Sequence, residues 1–206
     1  RCYAGTADAI TQNIDFIDSY EPEYVLVLTG DHIYKMDYSE MLQYHRDKRA
    51  NLTIAVMEVP WEDASRCGLV EVNNDNRILG FQEKPENPKS NLASMGIYIF
   101  DWKELRKALL EDQDDRLSDH DFGNNVIPAL FEEGQRIFAY PFSGYWRDVG
   151  TIQSYFDANM DLLDDSIDFD LTDKNNPFFS NNFSRHPQFI ESDAEVKDSL
   201  ICDGCV

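Results

Sequence analysis

The sequence predicts an α/β protein: a doubly wound open sheet, then an irregular linker, then the opening of a hexapeptide-repeat β-helix. Three observations carry that reading. Strand-sized apolar runs alternate with stretches of helical periodicity across residues 1–163. From about Asp164 to Gln188 the composition shifts to Asp, Asn, Ser, Pro and Phe without periodicity, which sets a linker over 164–190. Ala194–Val206 then spaces small and aliphatic residues as one rung of a β-solenoid does, so 191–206 reads as the start of a further domain that cannot bury its own faces alone.

Thr6 opens the order of elements as the cap of a helix whose apolar positions are Ile10, Ile14 and Ile17. Tyr24–Leu28 is a continuous apolar run, the mark of a strand buried on both faces in a parallel sheet, and it ends at Thr29-Gly30-Asp31. Met41, Leu42 and His45 form one stripe of a second helix, and Leu52–Val59 is the next strand. Leu69–Val72, the turn Asn73–Asn76 and Ile78–Gln82 read as a β-hairpin. Leu92–Phe100 is a strand and Trp102–Leu110 a helix. Phe122–Glu133 is helical in pattern, with Pro128 implying a kink or break. Ile137–Tyr140 and Tyr145–Val149 are short extended pieces, and Thr151 caps a helix running to Leu163. The linker packs through Phe178, Phe179 and Phe183.

Composition bounds the function. The chain has 206 residues, 42% of them hydrophobic, with 13 Phe and 10 Tyr, which suffices for a packed core. Its net charge of -21, from 39 acidic and 18 basic residues, repels a phosphate backbone and disfavours nucleic acid. Small phosphorylated substrates remain compatible, because a few local Lys and Arg build one pocket. The apolar runs are too short for a membrane span. The chain opens on Arg1-Cys2-Tyr3 rather than Met and carries no charged-then-apolar leader, so the expectation is a cytoplasmic protein whose native N-terminus lies further upstream. Cys2 and Cys67 are isolated, and Cys202 and Cys205 form a C-x-x-C that no second ligand pair accompanies, so that pair reads as reduced, cytoplasmic residues in a β-rich turn.

Ligands of open α/β sheets bind at the carboxyl ends of strands. Asp31 stands at such an end, where it can hold Mg²⁺ or cap a turn. Asp148, in Arg147-Asp148-Val149-Gly150-Thr151, can join it on one metal or cap the helix that follows. Lys84 of Glu83-Lys84-Pro85 could be a point charge for a phosphate, with Glu83 accepting from sugar hydroxyls, or the pair could be solvated surface. Gly5 and Gly68 each permit close backbone approach, and His120 in Ser118-Asp119-His120-Asp121 reads as part of a helix start. A P-loop, a G-x-G-x-x-G fingerprint, a nucleophile elbow and an H-E-x-x-H helix are all absent. By themselves these residues describe an enzyme of a phosphate-bearing ligand with an acidic metal site.

The same residues stand in motifs that resemble a known family. Tyr3-Ala4-Gly5-Thr6-Ala7-Asp8-Ala9, the run Gly30–Tyr38 (G-D-H-I-Y-K-M-D-Y), Gly68, Phe81-Gln82-Glu83-Lys84-Pro85, Ser94–Tyr98 and Tyr145–Thr151 are similar, in this order, to the bacterial ADP-glucose pyrophosphorylases. The resemblance spans nearly the whole chain and implies a Rossmann-like nucleotidyltransferase sheet followed by a left-handed β-helix. It implies the reaction of ATP with glucose 1-phosphate to ADP-glucose and pyrophosphate, which feeds glycogen synthesis. It further implies Mg²⁺ on Asp31 and Asp148, and a glucose 1-phosphate site of Tyr3, Gly68, Glu83, Lys84 and Ser94. Assembly as a homotetramer, or as a heterotetramer with a related subunit, under allosteric control goes with it. The family's G-G-x-G-x-R-L-x-x-L-T signature is not in the chain, so the expectation is a fragment that is inactive alone. Two other readings stand beside this one: a non-catalytic regulatory subunit, against which Asp31 and Lys84 both stand in place, and a related UDP- or dTDP-sugar pyrophosphorylase.

Overall fold

A computed structural model describes residues 2–164, 166–171, 173–174, 176–178 and 186–201. Its elements, in chain order, begin with α1 (Thr6–Thr11), α2 (Ile14–Asp18), β1 (Tyr24–Val27), β2 (His32–Tyr34), α3 (Tyr38–Lys48), β3 (Leu52–Glu58) and α4 (Trp61–Ala64). They continue with β4 (Gly68–Val72), β5 (Ile78–Glu83), β6 (Leu92–Asp101), α5 (Trp102–Asp114), a π-helical turn (Phe122–Val126), α6 (Ile127–Glu132), β7 (Ile137–Pro141), β8 (Trp146–Asp148) and α7 (Ile152–Asp161). The chain divides into two compact units, one of Arg1–Thr29 with Tyr38–Ser143 and one of Gly30–Asp37 with Gly144–Val206. Among the described residues no helix is long and apolar enough to cross a membrane.

The first unit is a mixed sheet in the order β5-β4-β6-β3-β7, with β1 antiparallel to the far half of β6. β3 is its axis. Its first five residues are buried, and it pairs antiparallel with β6 and parallel with β7. Alternate side chains of β3 serve different layers. Leu52, Ile54 and Val56 join Phe100, Leu105, Leu109, Val126 and Leu130 in the main core, under α5, the π-turn and α6. Thr53 meets α3 instead, where its Oγ1 lies 2.8 Å from His45 Nδ1. Helices therefore cover both faces, as a doubly wound sheet requires.

Burial explains which helices form. α5 puts Trp102, Leu105, Ala108 and Leu109 inside at helical spacing. The hairpin turn between β4 and β5 forms because Asn73 Oδ1 accepts from the backbone N–H of Asp75 and Arg77, while Asn76 adopts a positive φ of 61°.

Several expectations change. Thr6 is not a cap: Gly5 holds that position, and Thr6 Oγ1 instead donates to Asp121 Oδ2 and accepts from Phe122 N. The helix expected through Ile17 breaks at Gln12-Asn13, because the Asn13 side-chain amide takes the Ala9 carbonyl at 2.8 Å. Within Tyr24–Leu28 the strand is β1, but its pairing among the described residues is antiparallel to β6, and Leu26 and the following Leu28 are 38% and 44% exposed. The two-faced burial and the parallel partner belong to β3. Pro128 does mark a break: the segment runs as a π-turn and then restarts as α6, with the proline in the first turn where its missing N–H costs nothing.

The second unit pairs β2 with β8 and continues into α7, which opens on a capping box between Thr151 and Ser154. Residues 164–178, where described, contain no helix or strand, yet they are packed. Phe178 lies on Phe169, Phe169 on Tyr145, and Lys35 pairs with Asp173 at 2.8 Å. Residues 191–201 carry no strand, so the solenoid rung expected there is not formed by them. Cys202, Cys205, Phe179 and Phe183 lie outside the described residues.

Candidate active site

The sequence-predicted residues fall into two clusters, each inside one unit. The acidic cluster belongs to the second. Antiparallel pairing sets His32 opposite Asp148, and the Val149 N–H donates to the Asp31 carbonyl at 2.9 Å, so the two aspartates reach the same end of the β2–β8 ribbon. Both carboxylates turn toward Gly150. A Cβ there would lie 3.0 Å from Asp148 Oδ1 and 3.8 Å from Asp31 Oδ2. Asp148 Oδ1 also accepts from the Gly150 N–H at 2.7 Å, a local turn rather than the helix cap, which Thr151 supplies.

His32 stands between the two carboxylates, its Nε2 3.8 Å from Asp31 Oδ1 and 3.9 Å from Asp148 Oδ2, with its ring edge-on to Trp146. The aspartate side chains are 62% and 56% exposed, whereas that of His32 is 11% exposed. Behind them Arg147 fastens β8 to α7 through Asp161 at 2.6 Å. Two exposed hard-oxygen donors suit Mg²⁺, which takes one or two carboxylates and completes its shell from phosphates and water. Among the described residues no group of three or more His, Cys, Asp or Glu side chains is arranged as an all-protein metal cage.

The second cluster lies in the first unit at one end of β4, β5 and β6. Gly68 pairs with Glu83, and Leu69 with Ala93, which sets Ser94 one strand away from Gly68. The Glu83 carboxylate is wedged between two glycines. A Cβ on Gly68 would meet its Oε2 at 2.8 Å, and one on Gly123 at 2.6 Å. Gly123 is held there by Asp121, whose Oδ1 accepts from the backbone N–H of Gly123 and Asn124. Lys84 follows with a positive φ of 42°, its Nζ 3.4 Å from Glu83 Oε1 and its side chain 67% exposed. Ser94 Oγ donates to Tyr98 OH at 3.5 Å and accepts from Gly96 N. Burial, with the nearby charges of Glu83 and Asp121, pushes the Tyr98 phenol up to about 12, so it stays protonated.

Tyr3 is exposed, and its hydroxyl accepts from Asn13 Nδ2 at 3.4 Å. The segment behind it is moored to the π-turn. A Cβ on Gly5 would fall 2.3 Å from the His120 carbonyl oxygen, which also accepts from Ala7 N and Asp8 N. His120 itself is structural, bonded through Nδ1 to Asp112 Oδ2 at 2.8 Å, and Asp121 provides the helix cap.

Residues 2–165 match the model of the Nucleotidyl transferase family. The chain belongs to that family. As a nucleotidyl transferase chain it is 56% identical over 203 residues to the Glucose-1-phosphate adenylyltransferase of Clostridium novyi (strain NT), covering 98% of this chain and 53% of that relative. It is 56% identical over 206 residues to the enzyme of that name from Geobacillus stearothermophilus (100% and 53%) and 53% identical over 206 residues to that from Bacillus subtilis (strain 168) (100% and 54%). The chain spans about half the length of the curated relatives it matches.

The candidate donors of this nucleotidyl transferase chain stand out in the sequence, but the residues packed around them do not. Gly123, Asp121, Tyr98, His32 and Gly150 touch the candidate residues without having been assigned a role. Asp121-Phe122-Gly123 did carry a signal: an Asx cap two residues before a glycine is where a backbone bends to admit a neighbour. The others become visible only through pairing across the sheet.

Proposed function

We propose that the chain carries part of the catalytic machinery of a glucose-1-phosphate adenylyltransferase, which converts ATP and glucose 1-phosphate to ADP-glucose and pyrophosphate. The observation that carries this reading is the convergence of Asp31 and Asp148 on the space beside Gly150. The name shared by relatives that match the whole chain supports it.

In this reading Asp31 and Asp148 hold Mg²⁺, which when bound supplies charge neutralisation at the reacting phosphate. Gly150 leaves the space between the two carboxylates open. Glu83, fixed between Gly68 and Gly123, accepts hydrogen bonds from sugar hydroxyls. Lys84 offers its ammonium to the sugar phosphate, and Ser94 and Tyr3 add polar lining. The attacking phosphate oxygen is already ionised at neutral pH, its second pKa being about 6, so no general base is needed. Catalysis then rests on in-line positioning and on electrostatics. The same reading makes the protein a cytoplasmic, allosterically controlled enzyme of glycogen synthesis that works as a tetramer, alone or with a related subunit.

Pyrophosphate release from the nucleoside triphosphate in the presence of glucose 1-phosphate, measured for the protein as its gene encodes it, is the test. ATP is expected to be the preferred donor over UTP and dTTP. Preference for UTP or dTTP assigns the chain to another sugar nucleotide, and no turnover with any of them favours the regulatory-subunit reading.

Lys84→Ala is expected to raise KM for glucose 1-phosphate about tenfold, the size of one solvent-exposed charge-assisted contact, with KM for ATP unchanged. Steady-state kinetics with each substrate varied in turn checks this. A change confined to ATP transfers the Glu83-Lys84 loop to the other substrate.

A further inference from the structure

The chain carries a net charge of -21, yet three of its arginines line one pocket. A pocket of about 200 Å³ within the first unit is lined by Tyr24, His45, Arg46, Arg49, Asp101 and Arg136, with Ala50 at its wall. It lies at the start of β1 and β3 and the end of β6, whereas Glu83 ends β5.

Elsewhere arginines are clamped on aspartates, Arg106 on Asp18 and Arg147 on Asp161. Among the described residues none of Arg46, Arg49 and Arg136 lies within salt-bridge distance of a carboxylate. Arg46 stacks over the Tyr24 ring at 5.1 Å, and Arg136 Nε donates to the Arg49 carbonyl. The C-terminal end of α3 attracts cations and accounts for Arg46. It does not account for Arg136, which arrives from the approach to β7.

One further observation points to a ligand. Arg49 has a φ of 48°, a left-handed conformation at the end of α3 where glycine or asparagine is usual. An arginine kept there at a steric penalty is a residue whose side chain is wanted.

We propose that this pocket binds a small tetrahedral phosphate group, through the guanidinium groups of Arg46, Arg49 and Arg136. Asp101, the one carboxylate on the wall among the described residues, favours phosphate over sulfate. Inorganic phosphate keeps a P–OH at neutral pH that a carboxylate can accept, and sulfate has none. Among the described residues the Asp101 carboxylate accepts one hydrogen bond, from Asn51 Nδ2 at 3.2 Å, and burial raises its pKa.

The test is thermal unfolding of the protein as its gene encodes it, titrated with inorganic phosphate, glycerol 3-phosphate or sulfate at constant ionic strength. Phosphate is expected to raise the melting temperature saturably, as any ligand of the native state does, and sulfate less. Arg49→Gly relieves the backbone while deleting the guanidinium, and is expected to lose the increment with no fall in the phosphate-free melting temperature. Arg46→Gln is expected to reduce the increment as well. Lys84→Ala is expected to keep it, which separates the pocket from the Glu83-Lys84 loop. Glycerol 3-phosphate, a monoester ionised at neutral pH and so without a P–OH for Asp101, is expected to raise the melting temperature no more than sulfate does. The proposal is overturned if no saturable rise occurs, if sulfate matches phosphate, if Arg49→Gly keeps the increment, or if Lys84→Ala abolishes it.

Discussion

Asp31→Asn is expected to lower kcat roughly a thousandfold while leaving the fold intact, the scale seen when a main electrostatic contact to a reacting group is removed. The substitution keeps size and shape and deletes one negative charge. Asp31 holds the second unit together through its backbone carbonyl, which accepts from Val149 N, and the change does not touch that bond. What is lost is one of the two hard oxygen donors facing Gly150. The apparent Mg²⁺ requirement should rise together with the fall in kcat, and the melting temperature should stay put. Near-normal turnover at unchanged Mg²⁺ dependence would remove Asp31 from the reaction.

Acid is expected to cost the fold about 3 kcal/mol through His45 alone, between pH 6.5 and about 4. Burial against the sheet, with a smaller contribution from neighbouring Arg46, lowers its pKa from 6.5 to about 4. The sign follows from proton counting. Between those two values the unfolded chain holds a proton on His45 and the native chain does not, so stability falls as the pH falls. Above pH 6.5 neither state is protonated and the loss is absent; below about 4 both are, and it grows no further. Carboxylates titrate over the same range, so the useful quantity is a difference. Melting curves of the native sequence and His45→Gln, which retains a polar partner for Thr53, should diverge through this window. Parallel curves over it would show that His45 does not hold its neutral form in the fold.

Much of the fold was legible because local signals and tertiary demands agreed. The β4–β5 hairpin has a turn whose Asn73 closes it without help from the rest of the chain. Thr151 and Ser154 make a capping box that needs only each other. Reading failed where a distant partner decides. Thr6 looks like a cap in sequence, but Asp121 and Phe122 claim its hydroxyl across the fold. Tyr24–Leu28 is apolar throughout and Leu52–Val59 contains Thr53 and Glu58, yet the sheet order makes β3 the strand covered on both faces. The donors Asp31, Asp148, Glu83 and Lys84 stood out because charged residues at strand ends are conspicuous. The glycines that make room for them did not, since the demand for a missing Cβ is set by a neighbour far along the chain.

The β2–β8 ribbon also constrains how this sequence can change in length. Side chains alternate across a strand, so deleting or adding one residue within Trp146–Asp148 would carry Asp148 to the opposite face of the ribbon, away from Asp31, even with every remaining residue unaltered. Composition there can drift more safely than spacing. Insertions and deletions should instead collect just upstream, at the exposed Ser143-Gly144, where Gly144 has a φ of 151° and no side chain is committed to the pair. Among homologues of differing length, the gap should therefore fall before Tyr145 and leave the count from Trp146 to Gly150 fixed.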